Sequence, residues 1–128
     1  MSPWLTCDTT RVGGTLVCRF AGDLSMDTEA QAAAALRLAL DESPAVLAVD
    51  LAGVEFFTSS GLNLLLVTRR RALAAGVPLV LVAPCPMALR VLDLTDAAPL
   101  FPVHASAEEA DRLGRTASAR RHAASREG

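Results

Sequence analysis

Apolar residues along the chain fall into short strand-length runs and longer helical stripes. Trp4 to Thr9 and Thr15 to Phe20 read as two strands, and Arg11-Val12-Gly13-Gly14 between them supplies a turn whose glycines can take positive φ. A β-hairpin is therefore expected first. Ala21-Gly22-Asp23-Leu24-Ser25 follows as a loop, and Asp27 or Thr28 is placed to cap a helix running to about Leu40. Ala33, Leu36 and Leu40 share one face of it, with Glu29, Arg37 and Asp41 more exposed. Ser43-Pro44 breaks this helix, because the residue before a proline is pushed out of helical geometry.

Ala45 to Leu51 is almost continuously apolar, the mark of a strand covered on both faces. Ala52-Gly53 reads as a turn, and Val54 to Phe57 leads into Thr58-Ser59-Ser60-Gly61. A helix is expected from about Ser60 to Ala75, with Leu62, Leu65, Leu66 and Leu73 as its buried stripe. Arg69, Arg70 and Arg71 lie near its end, where positive charge suits the helix dipole, and Gly76 is a natural C-terminal cap. These arginines read as a solvated helix end.

Val77 to Ala83 is the next buried strand, and Pro86 opens a helix through about Leu94. Leu100 to Val103 is a short last strand, and Ser106-Ala107-Glu108-Glu109 is a capping box for a final helix to roughly Arg115. Strands alternating with helices imply parallel pairing through right-handed crossovers. The expectation is a single α/β domain over residues 3–113, its N-terminal β-hairpin leading into a mixed, mostly parallel sheet with about four helices. Residues 114–128 read as a flexible basic C-terminal tail.

The length of 128 residues suits one domain with a real core, and the 52% hydrophobic and 20% charged composition is that of a globular chain. No cationic segment precedes an apolar run at the start, and no run approaches the roughly 20 residues of a membrane span. A cytoplasmic protein without a membrane association is expected. Residues 1–111 carry 7 Arg against 13 Asp+Glu, net −6, and residues 112–128 carry 5 Arg against 1 Glu, net +4, which sum to the −2 of the chain. An acidic body argues against a nucleic-acid face.

Cys7, Cys18 and Cys85 lack the spacing of a zinc site, and His104 and His122 have no ligand partner at helical spacing, so no metal or cofactor is expected. Cys7 and Cys18 fall on expected strands and read as small core residues. The chain contains no lysine. That excludes a Walker A loop, a Schiff-base lysine and a Ser-Lys dyad.

The chemistry gathers at Thr58-Ser59-Ser60-Gly61, a strand-to-helix turn of the kind where open α/β sheets place their sites. Unpaired amides of a first helical turn favour negative charge. A capping serine accounts for one of the three hydroxyls, and Gly61 would let another molecule approach closely. A nucleophilic serine is not expected. The nucleophile elbow needs Gly two residues before the serine, where Ser59 has Phe57 and Ser60 has Thr58. Phe56 and Phe57 read as core anchors. The chain is thus read as a non-enzyme.

Asp50-Leu51-Ala52-Gly53-Val54-Glu55-Phe56-Phe57-Thr58-Ser59-Ser60-Gly61-Leu62 resembles the STAS-domain motif of anti-sigma-factor antagonists, and Gly22-Asp23-Leu24 resembles the family's upstream Gly-Glu/Asp-Leu/Ile motif. The resemblance implies a partner switch. An unphosphorylated antagonist binds an anti-sigma factor with serine kinase activity, and a sigma factor is released. The kinase phosphorylates the antagonist, the complex parts, and a PP2C-type phosphatase resets it. Carried over by position, Ser59 is the phosphoacceptor, and Asp23, Asp50, Thr58, Ser59, Ser60 and Gly61 form the partner-binding set. Thr58 stands where the family usually has Asp, which removes one negative charge beside the acceptor. Two alternatives stay open: a constitutive interaction module, and a small-ligand sensor with a pocket near the Asp23, Asp50 and Ser59 loops. A homodimer is compatible with either.

Overall fold

The computed structural model describes residues 4–113, so the basic tail read at 114–128 lies outside the described residues. Strands β1 (Leu5–Val12) and β2 (Thr15–Leu24) pair antiparallel from Leu5 opposite Gly22 to Val12 opposite Thr15. The expected hairpin closes at Gly13, whose φ of +61° is the left-handed conformation such a turn requires. The chain continues through α1 (Glu29–Asp41), β3 (Val46–Phe57), α2 (Ser59–Ala75), β4 (Leu79–Val82), α3 (Pro86–Leu94), a 3-10 turn (Ala98–Leu100) and β5 (Val103–His104). A last helix, α4, is described over 107–113. The strands lie in the order β1-β2-β3-β4-β5, and every pair after the hairpin is parallel.

This order has a consequence for the layers. Each new parallel strand is added on the same side of the last, so right-handed crossovers carry their helices over one face. On that face Leu36 of α1, Leu64 and Leu65 of α2 and Leu92 of α3 pack on Cys18, Phe20, Leu47, Val49 and Leu81. The opposite face is smaller: Val17, Val46, Ala48, Val80 and Val82 are covered by Ala107 and Ala110 of α4. The central strand β3 is thus buried on both sides, which is why its first half is an unbroken apolar run. Asp111 pins α4 to the hairpin, its Oδ1 accepting from Gly14 N at 3.1 Å and from Thr15 Oγ1 at 2.8 Å.

Several elements depart from the sequence reading. β2 runs on through Leu24, where a loop was expected from Ala21. β3 does not turn at Ala52-Gly53 but continues to Phe57, with register irregularities between Arg19 and Ala21 and between Gly22 and Asp23 on the facing strand. Gly22 has φ +109°, and a Cβ there would meet the Trp4 carbonyl oxygen and ring. The buried residues of α2 are Gly61, Leu64, Leu65, Thr68 and Ala72, whereas Leu62 and Leu66 are half-buried and Leu73 is 57% exposed. Small residues face the sheet and let the helix sit close, which rotates the leucine stripe outward. Arg69 to Arg71 precede the last turn of α2, while Gly76 caps it at φ 72° as expected. The last strand is Val103–His104, and the stretch before it forms the 3-10 turn. Among the described residues, no helix is long and apolar enough to cross a membrane.

Candidate functional site

The end of β3 and the start of α2 are built as one rigid corner. Phe57 is buried under α2, and its backbone N–H donates to Met87 Sδ at 3.3 Å. Thr58 is the N-cap, with extended φ and ψ of −112° and −176°. Its Oγ1 accepts from Ser60 N at 3.2 Å and donates to Leu24 O at 3.3 Å, while Thr58 N also donates to Leu24 O at 3.1 Å. The first helical bond, Leu62 N to Thr58 O, is 3.2 Å. Thr58 therefore caps α2 and stitches it to the end of β2. The helix begins at Ser59, one residue earlier than the spacing predicts.

The three hydroxyls separate by role. That of Thr58 is used internally. Ser60 is half-buried, and Ser59 is exposed at the first helical position. Gly61 is buried, and a Cβ on it would sit 2.8 Å from Cε2 of Phe57. The room at Gly61 is thus filled by the chain's own phenyl ring, not left open to another molecule.

The structure brings Asp23 to this corner and leaves Asp50 away from it. Asp23 lies opposite Phe56 in the sheet register, one residue before Leu24. Its carboxylate makes no hydrogen bond or ion pair with other described residues. Its carbonyl accepts from Thr28 Oγ1 at 2.6 Å, which folds the β2–α1 loop back onto the strand end. Asp50 is buried far up β3, roughly 20 Å from the corner at about 3.3 Å per residue. Its Oδ2 pairs with Arg19 Nε at 3.1 Å, and its Oδ1 accepts from Ala52 N at 2.9 Å. Asp50 shapes the irregular middle of β3 and does not touch the Ser59 corner.

Phe56 and Phe57 both read as core anchors in the sequence, but only Phe57 is one; Phe56 lies at the rim of the corner. Phe56 is 51% exposed beside the buried Phe57, and Met87, which reaches the Phe57 amide, is also exposed. Consecutive residues on a strand point to opposite faces, so only one of the two phenylalanines can be a core anchor. That alternation is the signal that could have found Phe56. Met87 comes to Phe57 only through the packing of α3. Asn63 Nδ2 donates to Glu29 Oε1 at 2.8 Å and ties the exposed side of α2 to α1.

The cysteines lie elsewhere. Cys7 and Cys18 sit diagonally on β1 and β2, since Cys18 faces Thr9. A hydrogen bond from the Cys18 thiol lowers the pKa of Cys7, and the same contact together with burial raises that of Cys18.

A five-stranded mixed sheet with three helices on one face, and an exposed serine opening the second of them, defines a small α/β domain whose accessible chemistry is at a strand-to-helix corner. The chain belongs to the STAS domain family, whose model matches residues 6–110. Among solved structures it is similar to an anti-sigma factor antagonist from Mycobacterium paratuberculosis, with 26% identity, a TM-score of 0.77, and coverage of 88% of this chain and 95% of that one. It is also similar to an anti-sigma-factor antagonist STAS domain protein from Planctomyces limnophilus, with 23% identity, a TM-score of 0.74, and coverage of 84% and 97%. For the phosphorylated form of the Bacillus cell-fate determinant SpoIIAA the identity is 23%, the TM-score 0.66, and the coverage 84% and 99%. The last two likenesses show the fold. No curated protein matches the chain.

Proposed function

We propose that this protein is an anti-sigma-factor antagonist. In this reading it binds an anti-sigma factor with serine kinase activity, releases a sigma factor, and is controlled by phosphorylation of Ser59. The observation that carries the reading is the position of Ser59: exposed, at the first residue of α2, on a rim with Asp23 and the apolar Phe56 and Met87. An apolar rim around a single accessible hydroxyl suits a protein partner. A phosphate there adds about −1.5 to −2 charge at the positive end of a helix dipole. The domain itself tolerates that charge, whereas a partner packed over Ser59 must desolvate it. A PP2C-type phosphatase would restore the binding form.

The test is incubation with the cognate kinase and ATP, followed by intact mass. A single phosphate is expected on the wild type and none on Ser59→Ala. No mass gain with a kinase that binds the protein sinks the phosphorylation step.

One observation favours a second reading, a constitutive interaction module. Position 58 beside Ser59 is Thr, its hydroxyl committed to the cap and to Leu24 O, so that position offers no carboxylate to orient Ser59 or to be recognised by a kinase. The two readings divide on Ser59→Asp. The switch predicts a loss of partner affinity of roughly two orders of magnitude, since each 1.4 kcal/mol is tenfold. The module predicts no change.

A further inference from the structure

A cavity of about 360 Å³ lies at the far end of α2, away from the Asp23 and Ser59 corner where the small-ligand reading looks for its pocket. It opens among Leu73 of α2, Val77 and Leu79 at the start of β4, and Leu100 before β5, with Arg69 and His104 at its edge. The 17 residues of α2, about 1.5 Å each, separate it from Ser59 by roughly 20 Å. The cavity is thus independent of the partner-binding reading.

Its chemistry is lopsided. The wall is largely apolar, no carboxylate among the described residues lines it, and Leu73 and Leu100 are left exposed beside it. His104 has a carboxylate neighbour, its Nδ1 lying 3.6 Å from Glu109 Oε1. Among the described residues no carboxylate pairs with Arg69. Its Nε donates to Leu100 O at 3.2 Å, which holds the guanidinium at the rim and leaves its terminal nitrogens for another acceptor. Arg70 and Arg71 follow on the same helix and add positive potential. An apolar cavity of this size with one fixed, unmatched cation has the usual make-up of a small-molecule site.

We infer that this cavity binds a medium-chain fatty carboxylate, its alkyl chain among Leu73, Val77, Leu79 and Leu100 and its carboxylate on the Arg69 guanidinium.

The test is titration of the full chain with decanoate below its micelle concentration, read by amide NMR. Saturable shifts are expected at Leu73, Leu79 and Leu100. Arg69→Gln retains a donor for Leu100 O and should keep the fold, yet weaken decanoate at least about tenfold through loss of the charge-assisted bond. Decanol should bind the wild type more weakly by a similar factor. Shifts that do not saturate, equal binding of decanol, or unchanged affinity in Arg69→Gln overturns the inference. So does a shift of the same amides on simple dilution without ligand, which assigns the face to a second copy of the chain.

Discussion

Thr58 and Ser59 are neighbours with opposite fates. Thr58 is turned inward, donating to Leu24 O and accepting from Ser60 N, while Ser59 is left to solvent. Thr58→Val keeps the shape and removes both bonds. It is expected to cost about 1 kcal/mol, the usual worth of an N-cap, as a lower urea midpoint with an unchanged m value. The thiols divide in a similar way. Cys7 is half-buried with its pKa lowered by the Cys18 thiol, and Cys18 is fully buried with its pKa raised. The thiolate is the reactive form, so Cys7 gains reactivity as pH rises toward its lowered pKa, earlier than an ordinary thiol. Iodoacetamide mass mapping across pH 6 to 9 is expected to label Cys7 in the native protein and Cys18 only after unfolding.

At the level of elements, the hairpin turn and α4 form one unit. Gly13 is so close to Asp111 that a Cβ there would strike its carboxylate, and Asp111 satisfies both Gly14 N and the fully buried Thr15 hydroxyl. Asp111→Ala leaves that hydroxyl unpaired and is expected to cost about 2–3 kcal/mol in denaturant unfolding. Asp111→Asn keeps an acceptor oxygen and should lose less. Because α4 covers Val17, Val46 and Ala48, the Ala variant should also speed amide exchange in β2 and β3. The strands show why local patterns missed part of this. Ala52-Gly53 has the composition of a turn, yet it stays in β3 because Gly53 pairs with Ala21 of β2 and Asp50 holds the Ala52 amide.

Across the whole molecule, the Ser59 corner and the Arg69 cavity occupy opposite ends of α2. Ser59→Asp is expected to melt within about 2 °C of the wild type, or slightly higher, since an acidic residue in a first helical turn is favourable by about 0.3–1 kcal/mol. A large drop in melting temperature would mean that the corner cannot hold the charge. Much of this architecture was legible in the order of residues alone: the hairpin, the alternation of strands and helices, the buried first half of β3, the Gly76 cap and the hydroxyl-rich helix start at Thr58-Ser59-Ser60-Gly61. Those features rest on local geometry, on periods of two and 3.6 and on turn residues, which neighbours in sequence decide. What only the tertiary structure decided is which of these local choices face one another. It turned Leu73 outward and Ala72 inward, exposed Phe56 while burying Phe57, filled the space over Gly61 with a phenyl ring, and set Asp50 apart from Ser59. Each of those outcomes depends on packing between segments distant in sequence. The corner Thr58-Ser59-Ser60-Gly61 was therefore visible in the sequence as a place, and the fold decided that Ser59 is the exposed residue among its three hydroxyls.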